Sequence, residues 1–174
     1  MNRDEMVCQA KEQAEAYYKT GMNCSECVLK AVLDAGISDL PLQVVALATG
    51  FGGGIGLSGN NCGALAGAIM AVGSVHGRKN PHERDEVPER VNQLQGEEGL
   101  YRLFNNIPRS FKEKFGAVNC SELVQSYSWQ SKERSIFCKE VIGEAAAIAM
   151  HWLLVGLEQG YRHPYGENVA GRTD

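Results

Sequence analysis

The sequence has no bank of basic residues. Its lysines and arginines are scattered along a chain of net charge −4, so it offers no positive footprint for a phosphate backbone, and no nucleic-acid partner is expected. A basic, apolar leader is also missing. The N-terminus Met1-Asn2-Arg3-Asp4-Glu5-Met6 is polar and acidic, which predicts no signal peptide. The longest apolar stretch reads as too short to span a bilayer, so a cytoplasmic chain without a membrane span is expected. No segment alternates apolar and polar residues as a half-buried strand does. No serine–histidine–aspartate set and no carboxylate pair can be assembled, and His76, His82, His151 and His163 show no ligand spacing among themselves.

The 174 residues are 44% apolar and 22% charged. That is enough for one globular domain, which at this size buries roughly two thirds of the surface its unfolded chain exposes and needs no disulfide staples. Apolar positions recur at helical spacing almost throughout. Met6, Ala10, Ala14 and Tyr17 mark a first helix ending near Gly21, and Val28, Val32 and Ala35 a second from Cys24 to about Gly36. Pro41 opens a third through Leu47, and a fourth begins at Cys62. Residues 77–88 carry six charged residues and two prolines and read as a solvated connection. A fifth helix over Val91–Phe104 is weakened by Gly96 and Gly99, a shorter piece runs from Pro108 to Phe115, and a short helix follows Asn119. The last helix, from about Ser135 to Glu158, is apolar nearly all round and should be central. The expectation is all-α: one compact bundle of about six to seven helices over residues 1–159, with a loosely attached polar tail over 160–174 and a glycine-rich loop inside.

What is present is cysteine in a particular context. Three of the six follow asparagine, as Asn23-Cys24, Asn61-Cys62 and Asn119-Cys120, and two of these continue as Asn-Cys-Ser-Glu. Asparagine is a preferred N-cap, and a glutamate three residues on (Glu26, Glu122) completes a capping box, so each cysteine is expected on the first residue of a helix. There the positive end of the helix dipole favours thiolate, the form that attacks disulfides and ligates metals. Asn23-Cys24-Ser25 and Asn119-Cys120-Ser121 also match a glycosylation sequon, which is accidental in a chain that is not secreted. Cys24-Ser25-Glu26-Cys27 is a Cys-x-x-Cys at a helix start with both side chains on one face, the geometry of a dithiol switch, although without the βαβ surroundings of a thioredoxin. A functional thiol and a small buried residue are equally compatible with Cys27. Cys8, among Asp4, Lys11, Glu12 and Glu15, reads as a boundary residue without a role. Cys138 would lie one turn into the last helix if Ser135 caps it, and from its neighbours alone it is as compatible with a buried apolar residue as with a working thiol.

The loop Gly50-Phe51-Gly52-Gly53-Gly54-Ile55-Gly56 leads to Cys62-Gly63-Ala64-Leu65-Ala66-Gly67. Its Gly54-x-Gly56-x-x-Gly59 string follows a helix rather than a strand and lacks a phosphate-binding lysine, so nucleotide binding is disfavoured against an anion nest or a hinge for Cys62. Gly63, Gly67 and Ala71 lie on one helical face, where a second backbone can approach closely within the chain or across a homodimer.

Taken together, Asn23-Cys24-Ser25-Glu26, the glycine-rich loop, Cys62-Gly63-Ala64-x-x-Gly67, Phe115-Gly116 with Asn119-Cys120-Ser121-Glu122-Leu123, and Cys138 before an apolar helix resemble the C_GCAxxG_C_C family of redox-active proteins over roughly residues 20 to 155. The resemblance implies a small helical redox protein whose four characteristic cysteines correspond to Cys24, Cys62, Cys120 and Cys138. A related module resembles part of a multihaem split-Soret cytochrome, where a cysteine-lined pocket suggests an iron–sulfur site.

Three readings follow. In the first, low-pKa thiols among Cys24, Cys27, Cys62, Cys120 and Cys138 carry thiol–disulfide or electron-transfer chemistry with a redox partner the sequence does not identify, as a thiol–disulfide oxidoreductase would. In the second, Cys24, Cys62, Cys120 and Cys138 ligate an iron–sulfur cluster or zinc. The third is a helical accessory protein with buried cysteines.

Overall fold

The computed structural model describes residues 1–172. They form α1 (Arg3–Tyr18), α2 (Cys24–Leu33), a 3-10 helix (Leu42–Phe51), α3 (Gly63–His76), α4 (Val87–Gln95), α5 (Leu100–Phe104), α6 (Asn106–Phe115), α7 (Cys120–Leu123) and α8 (Lys132–Gln159). Among the described residues the one departure from helix and loop is an isolated antiparallel bridge between Asn61 and Asn119. The fold is all-α, as the periodicity predicts.

Local chemistry sets the helix starts. Asn2 with Glu5 and Asn23 with Glu26 form complete capping boxes at α1 and α2. The 3-10 segment was expected as α-helix. It contains Val44, Val45, Thr49 and Gly50 and has no side-chain cap, and such poor helix formers wind into the tighter form. The helix expected over Val91–Phe104 is two helices. It breaks between Gly96 and Gly99, while Pro88 in the first turn lets α4 begin inside the expected connection. The last helix starts earlier than expected, because Ser131 and not Ser135 caps it, its side chain accepting from the Arg134 amide at 3.1 Å.

Helices α1, α2, α3 and α8 pack on one another, with α6 against α8. Val28, Val32, Val72, Phe111, Ile142, Met150 and Leu153 are all sealed in the common core. At Gly67 a Cβ would stand 2.6 Å from the Ser25 carbonyl oxygen, so α2 and α3 meet backbone to backbone. The face of Gly63, Gly67 and Ala71 is thus spent inside the chain rather than offered to a second copy. By length and composition α8 is long and apolar enough to cross a membrane, contrary to the expectation of no such stretch. In this fold, however, 67% of its most apolar window is buried among the other helices. The tail is also tethered more firmly than expected: Arg102 donates to the His163 carbonyl (3.2 Å), and the Gly166 amide donates to Asn105 Oδ1 (2.7 Å).

Candidate functional site

The glycine-rich loop brings remote segments together. Gly53, Gly54, Gly56 and Gly59 have positive φ, as do Ile55 (64°) and Leu57 (66°), so the chain coils left-handed in a way that side chains rarely adopt. The coil is closed by amides reaching back five or six residues, including Gly56 N to Gly50 O (2.8 Å) and Asn60 N to Gly54 O (3.1 Å). Its far end holds the 118–121 segment. Cys120 donates its amide to Asn60 O (2.7 Å), Ser121 to Gly59 O (2.9 Å), and Cys62 to Val118 O (2.8 Å). A Cβ on Gly54 would lie 2.8 Å from Cys120 Cβ, so only glycine permits this approach. The other side is pinned to α2. Ser25 Oγ donates to Ala48 O (2.6 Å), Asn23 Nδ2 to Thr49 O (3.0 Å), and Thr49 Oγ1 to Glu26 Oε1 (2.7 Å).

The result is a cavity of about 400 Å³ whose wall includes Cys24, Cys62, Cys120 and Cys138. The remainder is mostly apolar, with Leu57, Leu123, Phe137 and Ile142, and Gly52, Gly53 and Gly56 make one side of it. The loop is therefore a wall of the pocket, and a helix rather than a strand precedes it.

The four cysteines arrive by different routes. Cys24 is the first residue of α2, half-buried, behind the capped Asn23. Cys62 was expected one residue inside a helix capped by Asn61. Instead Asn61 is held in the bridge to Asn119, and Cys62 itself is the N-cap of α3. Cys120 opens the four-residue α7, where Asn119 makes no cap bond. Cys138 lies in the second turn of α8, away from any helix start.

Ionisation runs against the expectation of ready thiolates. Burial pushes the Cys62 thiol up to about 12, with the neighbouring Cys24 adding to it, while the amides of Leu65 and Ala64 pull only weakly the other way. Cys138 is raised to about 11, chiefly by burial, against the opposing pull of Arg134. Cys120 is raised for the same first reason. Local helix-start electrostatics is outweighed by loss of water around the sulfur.

Cys27 does not join the pocket. It is fully buried in the core, donates to the Met22 carbonyl at 3.6 Å, and is pushed up to about 12 by burial. Its helical neighbour Cys24 faces the cavity, so this Cys-x-x-Cys does not present two accessible thiols. Cys8 is exposed, near Glu12. His76 is buried between Tyr161 and the Leu153 carbonyl, and His151 sits by Arg3; neither lines the cavity. Arg134 does, and sequence reasoning passed over it. Its guanidinium lies 4.0 Å from Cys138 Sγ and stacks on Trp129 at 4.1 Å. The available signal was its position four residues before Cys138, one turn away on the same face of α8.

The buried thiols set a pH dependence. Cys27 and Cys62 keep their protons in the folded state up to about 12, against an ordinary value of 9.0. Between those values the unfolded chain has lost protons that the folded chain still holds, so raising the pH favours unfolding. Stability from this source is intact below about pH 9 and then falls by about 1.4 kcal/mol per pH unit for each thiol. Urea midpoints measured from about pH 7 to about pH 10.5 should be level and then drop, and Cys27→Ala should shallow the drop. A midpoint that is level or rises through that range contradicts the burial argument.

Residues 22–152 match the family described as "Putative redox-active protein (C_GCAxxG_C_C)". An uncharacterised protein of Archaeoglobus fulgidus is 30% identical over 142 residues, covering 82% of this chain and 91% of that protein. No solved structure matches.

Proposed function

The chain belongs to the C_GCAxxG_C_C family, and from that membership we propose a cysteine-based redox protein in which Cys24 and Cys62 form the working dithiol of the four-cysteine pocket. The observation that carries the reading is the convergence of Cys24, Cys62, Cys120 and Cys138, from four separate segments, on one cavity.

Cys24 is the attacking thiol. It is half-buried rather than sealed, and it stands in the field of the α2 N-terminus. Cys62 is the resolving thiol. A Cβ on Gly63, its neighbour in the chain, would run into Cys24 Sγ, so Cys24 lies against the backbone that follows Cys62 at the start of α3, near enough to raise the Cys62 thiol electrostatically. A protonated resolver beside an attacking thiolate is a workable arrangement for exchange. The Cys24 thiolate attacks a substrate disulfide RSSR and forms Cys24–S–S–R, releasing RS⁻. The Cys62 sulfur then attacks Cys24, its proton passing to the departing thiolate. The products are a Cys24–Cys62 disulfide, one RS⁻ and one RSH, with two electrons transferred to the substrate.

Titration against dithiothreitol redox buffers tests this. Two thiols per chain should be lost in a single two-electron step, and none in the Cys24→Ser/Cys62→Ser double variant. A folded protein that keeps all its thiols across the range refutes it.

A second reading has its own support. Thiols held neutral by burial are deprotonated by a cation placed among them. Among the described residues no three His, Cys, Asp or Glu side chains are gathered closely enough for a single metal ion, so a one-ion zinc cage does not fit as the side chains stand. An iron–sulfur cluster spans more space than one ion, and Cys24, Cys62, Cys120 and Cys138 would hold it and give one-electron transfer. Iron and acid-labile sulfide content after anaerobic purification tests this form, and their absence counts against it.

A further inference from the structure

The pocket contains one cation and no anion. Its wall includes no aspartate or glutamate, yet Arg134 lies in it, on a chain whose net charge is −4. Among the described residues Arg134 makes no ion pair. Its guanidinium contacts are Cys138 Sγ at 4.0 Å and the face of Trp129 at 4.1 Å, and its Nε is buried with no hydrogen-bond partner. A desolvated N–H on a charged group is costly to leave unmade, and a planar guanidinium is the natural partner of a carboxylate. Its sulfur neighbour Cys138 is held neutral by burial and supplies no compensating charge.

We propose that the pocket receives a small organic disulfide or thiol bearing a carboxylate, with the carboxylate on Arg134 and the sulfur turned toward Cys24. This rests on the exchange reading above and names its substrate class. The cavity of about 400 Å³ suits a ligand of that kind, with apolar walls for its methylenes and Trp129 holding the guanidinium in place. Arg134 is a substrate-binding residue here. The exchange step is unchanged, with RSSR a disulfide carrying carboxylates.

Three disulfides of matched length separate charge from reactivity: dithiodipropionate (anionic), hydroxyethyl disulfide (neutral) and cystamine (cationic). At low ionic strength the native protein should be oxidised by dithiodipropionate about tenfold faster than by hydroxyethyl disulfide, and slowest by cystamine. In Arg134→Gln the ratio should collapse to less than about threefold, and Arg134→Lys should keep part of it. A change confined to thiol reactivity would move all three rates alike, so the ratio reads substrate binding. Methylthiopropionate, which cannot exchange, should quench Trp129 fluorescence saturably in the native protein and not in Arg134→Gln. Equal rates for the three disulfides, or a ratio unchanged in Arg134→Gln, overturns the proposal while leaving exchange standing. If none of the three reacts but methylthiopropionate still binds through Arg134, the exchange reading falls and the anion site stands. If there is neither reaction nor binding, both fall.

Discussion

Cys24→Ser should reduce the rate of exchange with a small disulfide by at least about a thousandfold, because a hydroxyl cannot replace the attacking sulfur. The thermal transition should be nearly unchanged. The substitution removes little volume, and the Asn23–Glu26 capping box that starts α2 does not involve the thiol. Cys8→Ser is the matched control: Cys8 is exposed and outside the cavity wall, so neither rate nor stability should move. Mass spectrometry of the mixed-disulfide adduct checks both. A Cys24→Ser protein that still forms an adduct at the native rate would assign the attack to another cysteine.

The second large effect is expected at Gly63. A Cβ there would run into Cys24 Sγ and stand 2.6 Å from the Phe51 carbonyl oxygen. One of these contacts is backbone at the edge of the glycine-rich loop, so the strain cannot be relieved by turning a side chain. Gly63→Ala should therefore destabilise the fold by about 1–3 kcal/mol. Displacing the Cys24 sulfur should also slow exchange by about a hundredfold, more than the loss of stability explains. Gly73 lies on the same helix, and its nearest neighbour is Phe104 Cζ at 4.0 Å. There alanine should be harmless, or stabilising by up to about 1 kcal/mol. Urea midpoints and exchange rates on the two variants separate a close approach from mere helix propensity.

These two residues also show what could be read from sequence. Asn23-Cys24-Ser25-Glu26 was legible because a capping box is made within four residues, and α2 starts where it predicts. The same tetrapeptide at Asn119 gives only the four-residue α7 with no cap bond: the Asn119 side chain donates to Glu122 Oε1 (3.1 Å) while its backbone bridges to Asn61. That pairing moves Cys62 from inside a helix to its cap, and no local pattern announces it. The family resemblance singled out the four cysteines that line one cavity; nothing in their spacing announces that they share it. Burial raises Cys62, Cys120 and Cys138 against the thiolate expectation for one physical reason. A sequence shows which amides a thiol will face, whereas the water it loses depends on helices remote in the chain, and at Cys62 the second effect outweighs the first. Arg134 was hidden likewise, since its place four residues before Cys138 matters only once Cys138 is known to face a cavity. The glycines were readable as close approaches, but not which backbone or sulfur each one meets.

Mapping of disulfides by peptide mass spectrometry after brief oxidation of the native protein with diamide tests the central claim most directly. One intrachain bridge should join the Cys24 and Cys62 peptides, with Cys8 alkylated at once and Cys27 alkylated only after unfolding. Bridges that run through Cys8 or only between chains, or no bridge at all in a folded protein, would contradict it.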